Sequence, residues 1–256
     1  MNGDLGIRQV EASVAASGFH RSNEYMRWSR FVAAFAAGVL VLTACSGTPT
    51  ESALSKERPA WPHDVRRYVG PPDALDQAGL LDTMVRRGSV RDLSAERLDD
   101  DELAALLWSA QGISSPTGAR TVPSAGALYP LEVYVVTPDG VLHYLPDTSS
   151  VEVRNGAQTK AVISEAIRDV PASRAYAMIV ITGVPGRITG KYGERGIRYM
   201  WMEAGHAAQN LVLAAAAMRL GAVTIGAFDD GAVADALGLS DAEIPLYLIA
   251  VGRPLD

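Results

Sequence analysis

Cysteine is almost missing from this chain: Cys45 is the only one in 256 residues, which excludes an internal disulfide framework and a cysteine zinc site within one chain. An excess of positive charge is missing too. The formal net charge is −6, whereas a nucleic-acid surface carries a basic excess to meet phosphates. No G-x-G-x-x-G follows a strand-like run and no G-x-x-x-x-G-K-[ST] occurs, so a nicotinamide Rossmann site and a P-loop have no support. No internal repeat is visible. The apolar run from Phe31 to Leu42 is shorter than the roughly 20 residues that a spanning helix needs.

What is present is enough for one full core. Hydrophobic residues make up 48% and charged residues 20% of the chain, which points to a single compact domain. Ahead of it, Arg27 and Arg30 precede the run Phe31 to Leu42, and small residues lead into Cys45. That order fits a secretory signal. The ending Leu42-Thr43-Ala44-Cys45 resembles the lipobox of bacterial lipoproteins, whose cysteine is lipidated and becomes the first mature residue. The other reading is a short anchor helix that contains a cysteine. Residues 1–25 form a long polar leader, and Met26 heads a more conventional signal, so the expected true start is Met26. The expected organisation is a leader and signal over 1–44, a polar proline-rich tether over 45–72 and a folded domain over 73–256.

From Asp73, Leu75, Ala78, Leu81, Met84 and Val85 recur at helical spacing up to Gly88. Asp99 with Glu102 three residues on has capping-box spacing ahead of LAALLWSAQ, and Gly112 is the expected stop. LEVYVVT reads as a strand turned back by Asp139-Gly140 onto VLHYL. AQTKAVISEAIRDV reads as an amphipathic helix and AMIVITGV as a fully buried strand. A long alanine-rich helix over RYMWMEAGHAAQNLVLAAAAMRLG should end at Gly221, followed by the strand AVTI, a short helix around GAVADALG and the strand LYLIAVG. Its small residues permit close approach by another helix. Irregular alternation with a clear hairpin favours an α+β or three-layer α/β/α domain.

RRGSVRDL, from Arg86 to Leu93, gathers three arginines and a serine, and guanidinium forks suit phosphate oxygens. Alone, it is equally a solvated basic helix end. His206 reads as a core or interface histidine, Trp201 and Met202 as packing, Gln209 and Asn210 as partners of an interface or a neighbouring loop. Asp229-Asp230 reads as a helix N-cap; no metal is expected.

RRGSVRDL, PSAGALYPLEVYVV, KYGERGIRY, EAGHAAQNL, IGAFDD and LYLIAVGRP occur in one order, and this set resembles the SagB-type (thiazoline/oxazoline) dehydrogenases of the FMN-dependent nitroreductase family. The resemblance covers nearly all of residues 75–254. It implies an α+β, three-layer α/β/α fold with a central, mainly antiparallel sheet, in a homodimer with FMN at the subunit interface. It also implies that Arg87, Gly88, Ser89 and Arg91 contact the FMN phosphate and ribityl chain, with Arg253 a further phosphate partner. PSAGALYP takes the place of the loop against the flavin ring, nominating Ser124, Ala125, Gly126, Ala127 and Leu128. Ala127 stands where many relatives have an asparagine. Gly226 and Ala227 take the place of the turn whose N–H approaches flavin N5.

Lys191 and Tyr192 match the pair implicated in taking a proton from an azoline ring while the flavin takes the hydride. Both side chains normally titrate near about 10, so either needs a shifted environment to act as a base at neutral pH. The other reading of this pair is a surface lysine beside a packed tyrosine.

The resulting expectation is an FMN-dependent oxidoreductase working by ping-pong hydride transfer, on azoline rings of a modified peptide or another small-molecule substrate. Two alternatives stand beside it: a general NAD(P)H-dependent nitro/quinone reductase, and a membrane-tethered binding protein without turnover. The lipobox-like signal implies a lipid-anchored protein of the cell envelope. Peptide-modifying relatives act in the cytoplasm, and the protein is expected there if the signal is not used.

Overall fold

The computed structural model describes residues 67–68, 79–154, 156, 158–168 and 171–255. The leader, the signal, Cys45, all of the tether except Arg67 and Tyr68, and the start of the helix expected from Asp73 lie outside the described residues. Among the described residues, seven strands form one sheet: β1 (Arg67–Tyr68), β2 (Leu131–Thr137), β3 (Gly140–Leu145), β4 (Ser150–Arg154), β5 (Ala177–Gly183), β6 (Gly221–Ile225) and β7 (Ile244–Gly252). Their order is β1-β4-β3-β2-β5-β7-β6, and every neighbouring pair is antiparallel.

The apolar runs of β2, β5 and β7 are continuous because both faces of the sheet are covered. Val133, Val135, Ile179, Ile181, Ile249 and Val251 point to one core, which they share with α2 (Asp100–Gln111) and α5 (Arg195–Ala217). Tyr134, Val136, Met178, Val180, Leu248 and Ala250 alternate with them and point to the other, shared with α3 (Thr159–Ala166) and α6 (Asp230–Leu237). This period of two makes the three layers, and each fully buried aliphatic side chain contributes about 1.5–3 kcal/mol. The domain is α+β, as expected.

Local signals hold where they are chemical. Asp99 accepts from the Glu102 N–H at 2.8 Å, and the Glu102 carboxylate accepts from the Asp99 N–H at 2.9 Å, closing the capping box of α2. Asp229 caps α6 by accepting from the Ala232 N–H at 2.9 Å. Thr137 pairs with Gly140 across the β2–β3 hairpin.

Three expectations change, and one helix was not anticipated. The helix before Gly88 is described as α1 (Leu80–Arg86), and Leu80, Leu81, Met84 and Val85 are exposed, with Thr83 its only buried residue. The segment before the long helix is itself helical, α4 (Pro185–Tyr192), because Pro185 pre-sets the first turn. The long helix does not end at Gly221. Arg219 takes the left-handed turn at φ 59°, the Leu220 N–H returns to the Ala215 carbonyl at 2.8 Å, and Gly221 already opens β6. Trp201 and Met202 are half exposed rather than packed within the chain.

Candidate active site

The stretch PSAGALYP forms a tight turn that leads into β2, and its backbone is unusual. Gly126 has φ 63°, Ala127 φ 54° and Tyr129 φ 45°, a left-handed conformation that costs an L-residue roughly 1–2 kcal/mol and clusters at functional sites. The turn is fixed from inside. Ser124 accepts from the Ala127 N–H through its carbonyl at 3.0 Å and from the Tyr129 N–H through Oγ at 2.9 Å.

Gly126 is where this turn meets the sequence-predicted acid/base pair. A Cβ built on Gly126 would stand 2.8 Å from Tyr192 Oη and 2.9 Å from Lys191 Nζ, so the missing side chain is space these two atoms occupy. The pair sits in the last turn of α4, where the helix carbonyls favour the lysine cation. Tyr192 packs edge-on against Tyr199 of α5, centroids 5.3 Å apart at 84°, and Lys191 Nζ lies 5.4 Å from the Tyr192 ring centroid. Sequence reasoning put PSAGALYP and KYGERGIRY in one site without a geometric link. Their contact at Gly126 is that link.

Beside Leu128 and Tyr129, a cleft of about 490 Å³ is lined by Arg120, Glu132, Asp147 and Arg187 among others. None of its charged residues stood out in the sequence. Arg187 of α4 donates to the Tyr129 carbonyl at 3.3 Å and to Glu132, while His143 Nε2 lies 2.8 Å from the Glu132 carboxylate. Tyr134 stacks on His143 with centroids 4.5 Å apart. Burial raises the Glu132 pKa, but the hydrogen bonds from His143 and Arg187 and the Arg187 charge outweigh it, so the carboxyl titrates below its usual 4.5.

A carboxylate with a depressed pKa contributes stability that is present above its unfolded pKa and lost as pH falls through the folded one. Glu132→Gln is therefore expected to cost about 1.5–3 kcal/mol at pH 7. The difference from the wild type should shrink below pH 4. Urea unfolding at both pH values checks this, and an equal deficit at both would mean that the charge is not what matters.

The nominated phosphate residues form a second group. The segment after α1 runs beside β6, with Ser89 bridging Ala222 in parallel and the Val90 N–H donating to the Ala222 carbonyl at 2.9 Å. Arg87, Gly88, Ser89 and Arg91 are all exposed along it. Gly226 and Ala227 follow the end of β6, also exposed, and a Cβ at Gly226 would meet nothing within 4 Å. Arg253 lies alongside, since the Ser94 N–H donates to its carbonyl at 2.8 Å. Its guanidinium is engaged by Glu96 at 3.1 Å and Glu102 at 3.1 Å, so it ties the α2 cap to the end of β7, and a phosphate would share it with two carboxylates.

Three guanidinium groups and a hydroxyl along one exposed edge, with two bare backbone positions beside them, suit a phosphorylated flavin such as FMN. Gly126 and Ala127 of the left-handed turn are exposed, which leaves backbone that a flat ring could approach. The site residues thus fall into two groups, one beside β6 and the end of β7, the other where the turn before β2 meets the end of α4.

Two more residues belong to the turn. Glu203 of α5 is 2% exposed, and burial raises its pKa despite opposing effects from Ser124, Gln111 and Arg120. Asn210, about two helical turns on, donates to the carbonyls of Ser109 and Thr121 at 3.2 and 3.1 Å, pinning α2 and the approach to the turn. His206 is on the exposed side of α5.

Comparison with known proteins agrees with this architecture. The model of the nitroreductase family matches residues 84–253. A protein of Methanocaldococcus jannaschii named as a nitroreductase is 36% identical over 189 residues, which are 71% of this chain and 94% of that one. The chain belongs to the nitroreductase family, and it is an oxidoreductase of that family.

Among solved structures, one from Ralstonia eutropha, also named as a nitroreductase, is 26% identical with a TM-score of 0.67, covering 78% of this chain and 94% of its own. Two others share the fold at lower identity. A Desulfovibrio desulfuricans protein crystallised with FMN has a TM-score of 0.53 at 21% identity, covering 70% of this chain and 88% of its own. A chain of the E. coli microcin synthetase McbBCD complex with truncated pro-MccB17 bound has a TM-score of 0.59 at 22%, covering 84% and 85%.

Proposed function

We propose that this protein is an FMN-dependent dehydrogenase of the SagB type that oxidises azoline rings in a modified peptide. The observation that carries this reading is the convergence of Lys191 Nζ and Tyr192 Oη on Gly126, in the turn nominated to face the flavin. FMN bound there supplies a two-electron acceptor for a hydride. Ring oxidation removes one hydride and one proton, and an amine beside a phenol is suited to take the proton and hold it. Arg87, Ser89 and Arg91 would hold the phosphate, and Gly226 and Ala227 would offer backbone N–H groups beside the ring. A fold shared with a chain of a complex that holds a pro-peptide makes a peptide substrate chemically consistent.

The protein acts as a homodimer in this proposal. Leu80, Leu81, Met84 and Val85 on α1 and Trp201 and Met202 on α5 are exposed apolar side chains, and a second copy of the chain would cover them. The partner would bring its Ser124–Leu128 turn to the Arg87–Arg91 edge, uniting the two groups. A diacylglyceryl anchor on Cys45 would tether the protein to the cell envelope, with the residues between it and β1, 46–66, as the leash.

The test is incubation of the FMN-loaded chain with a thiazoline-containing peptide in air, followed by mass spectrometry. The expected result is loss of two hydrogens per ring. An unchanged peptide, together with NAD(P)H-dependent reduction of a nitroaromatic or quinone, would replace this reading with a general reductase; a colourless protein that takes up no FMN would replace it with a binding protein.

A further inference from the structure

Helix α5 is built largely from alanine, glycine and aliphatic residues on its inward face, yet Glu203 lies on that face, 2% exposed. Neither carboxyl oxygen has a hydrogen-bond partner. Gln111, at the end of α2 and fully buried, is in the same condition: its Oε1 accepts from Arg120 Nη1 at 3.0 Å, and its Nε2 has no partner. Buried polar atoms without partners are rare in folded proteins, because each keeps the full cost of leaving water. A leucine or methionine at position 203 would fill this space without that cost. A carboxyl retained there needs a reason.

The neighbouring groups supply one. Ser124 acts on the Glu203 carboxyl, as do Gln111 and, through its charge, Arg120. Ser124 Oγ already accepts from the Tyr129 N–H, so its own proton is free to be donated inward. Gln111 Nε2 has protons to donate as well. Two donors and two acceptors are thus left over in one buried cluster, and they complement one another.

Arg120 closes the cluster on its outer side. Its guanidinium lies over the Tyr129 ring at 4.3 Å and donates to Asp147 at 3.3 Å, and its backbone N–H reaches Tyr129 Oη at 3.4 Å. The cluster therefore grips both ends of the left-handed turn, at Ser124 and at Tyr129.

We propose that Glu203 is a positioning residue for the flavin-facing turn: its carboxyl takes the Ser124 hydroxyl and the Gln111 amide as donors and so holds Gly126, Ala127 and Tyr129 in their left-handed conformation. Glu203 acts through Ser124, whose carbonyl and hydroxyl hold the Ala127 and Tyr129 N–H groups. Three left-handed residues within four positions relax to commoner conformations unless something holds them. The carboxyl also makes the turn dependent on α5, the same helix whose Tyr199 packs against Tyr192, so one helix aligns the turn and the Lys191–Tyr192 pair together.

The consequence for FMN rests on the function proposed above, so the experiment has one arm that does not need the cofactor. In the full chain without FMN, amide hydrogen exchange is measured by NMR for Glu203→Gln, Glu203→Asp and Glu203→Leu. The Tyr129 amide should exchange about tenfold faster in the Leu variant and faster than wild type in the Asp variant, whose carboxyl is withdrawn by one methylene. Gln should stay within about threefold of wild type, because it still offers an acceptor. The amides of β5 should be unchanged in all variants that fold.

In the second arm, FMN affinity should fall about tenfold in Leu, fall less in Asp and persist in Gln. Wild-type exchange at Tyr129 in both the Leu and Asp variants would overturn the proposal; if Leu does not fold, wild-type exchange in Asp alone does so. A wild-type chain that takes up no FMN would sink the functional reading, and the exchange arm would still decide the role of Glu203.

Discussion

Under the proposed function, Lys191→Ala and Tyr192→Phe are each expected to slow azoline oxidation by about 10²–10⁴-fold, the usual worth of a positioned acid or base. Both should keep FMN bound and the domain folded. Tyr192→Phe removes one oxygen and leaves the ring edge-on against Tyr199, so stability should change by less than about 0.5 kcal/mol. Lys191 is exposed at the end of α4, and its loss leaves no buried group unpaired. Single-turnover rates with FMN-loaded variants measure the chemical step directly. A variant that oxidises the ring at the wild-type rate would place the proton acceptor elsewhere.

The second large effect is expected at Gly126. Valine there must hold φ near the present 63°, which costs roughly 1–2 kcal/mol or more for a β-branched residue. Its Cβ would also displace Tyr192 Oη and Lys191 Nζ, from which a built Cβ is 2.8 and 2.9 Å away. Both are ends of movable side chains, so the domain should still fold. The proposed acid/base groups, however, would move by about an ångström, and a shift of that size costs on the order of 100-fold in rate. Gly226→Ala is the control, since nothing lies within 4 Å of a Cβ there. It should leave the stability of the cofactor-free chain unchanged and weaken FMN binding if the ring lies against that turn. Denaturant melts of the cofactor-free proteins and FMN titrations separate the two effects. A fully active Gly126→Val would remove Gly126 from this account.

The resemblance implies that PSAGALYP lies against the flavin ring. The structure adds a nearer reason for the bare backbone at one position: Gly126 makes room for Lys191 and Tyr192, and this contact could not be read from two segments separated by more than sixty residues. Ala127 carries its own signature. In a left-handed position asparagine is better tolerated than alanine, so alanine in place of the relatives' asparagine leaves strain that the surrounding bonds must hold.

Elements announced by local chemistry were legible. The Asp99–Glu102 capping box, the Asp229 cap and the buried run of β5 depend on residues close in sequence. Helix α4 was not, because Gly186 and Gly190 dilute its helical pattern and only Pro185 marks its start. The exposed face of α1 has apolar helical spacing identical to that of a core helix, and spacing alone does not say whether the cover is the same chain or another. Glu203 carried a faint signal, a lone acid among alanines and glycines within EAGHAAQN. Its meaning required Ser124 and Gln111 to be seen beside it. Arg120, Glu132 and Arg187 carried none, since a charged residue on a loop, a strand or a helix end is ordinary until its partners are known.

The central claim is that the Arg87–Arg91 edge and the Ser124–Leu128 turn serve a flavin. Equilibrium titration of the purified apoprotein with FMN, followed by quenching of flavin fluorescence, tests it most directly. Saturation is expected at one FMN per chain with a Kd of about 1 μM or tighter, weakened at least about tenfold in Arg87→Ala. Flavin fluorescence that stays that of free FMN with protein in excess would contradict it.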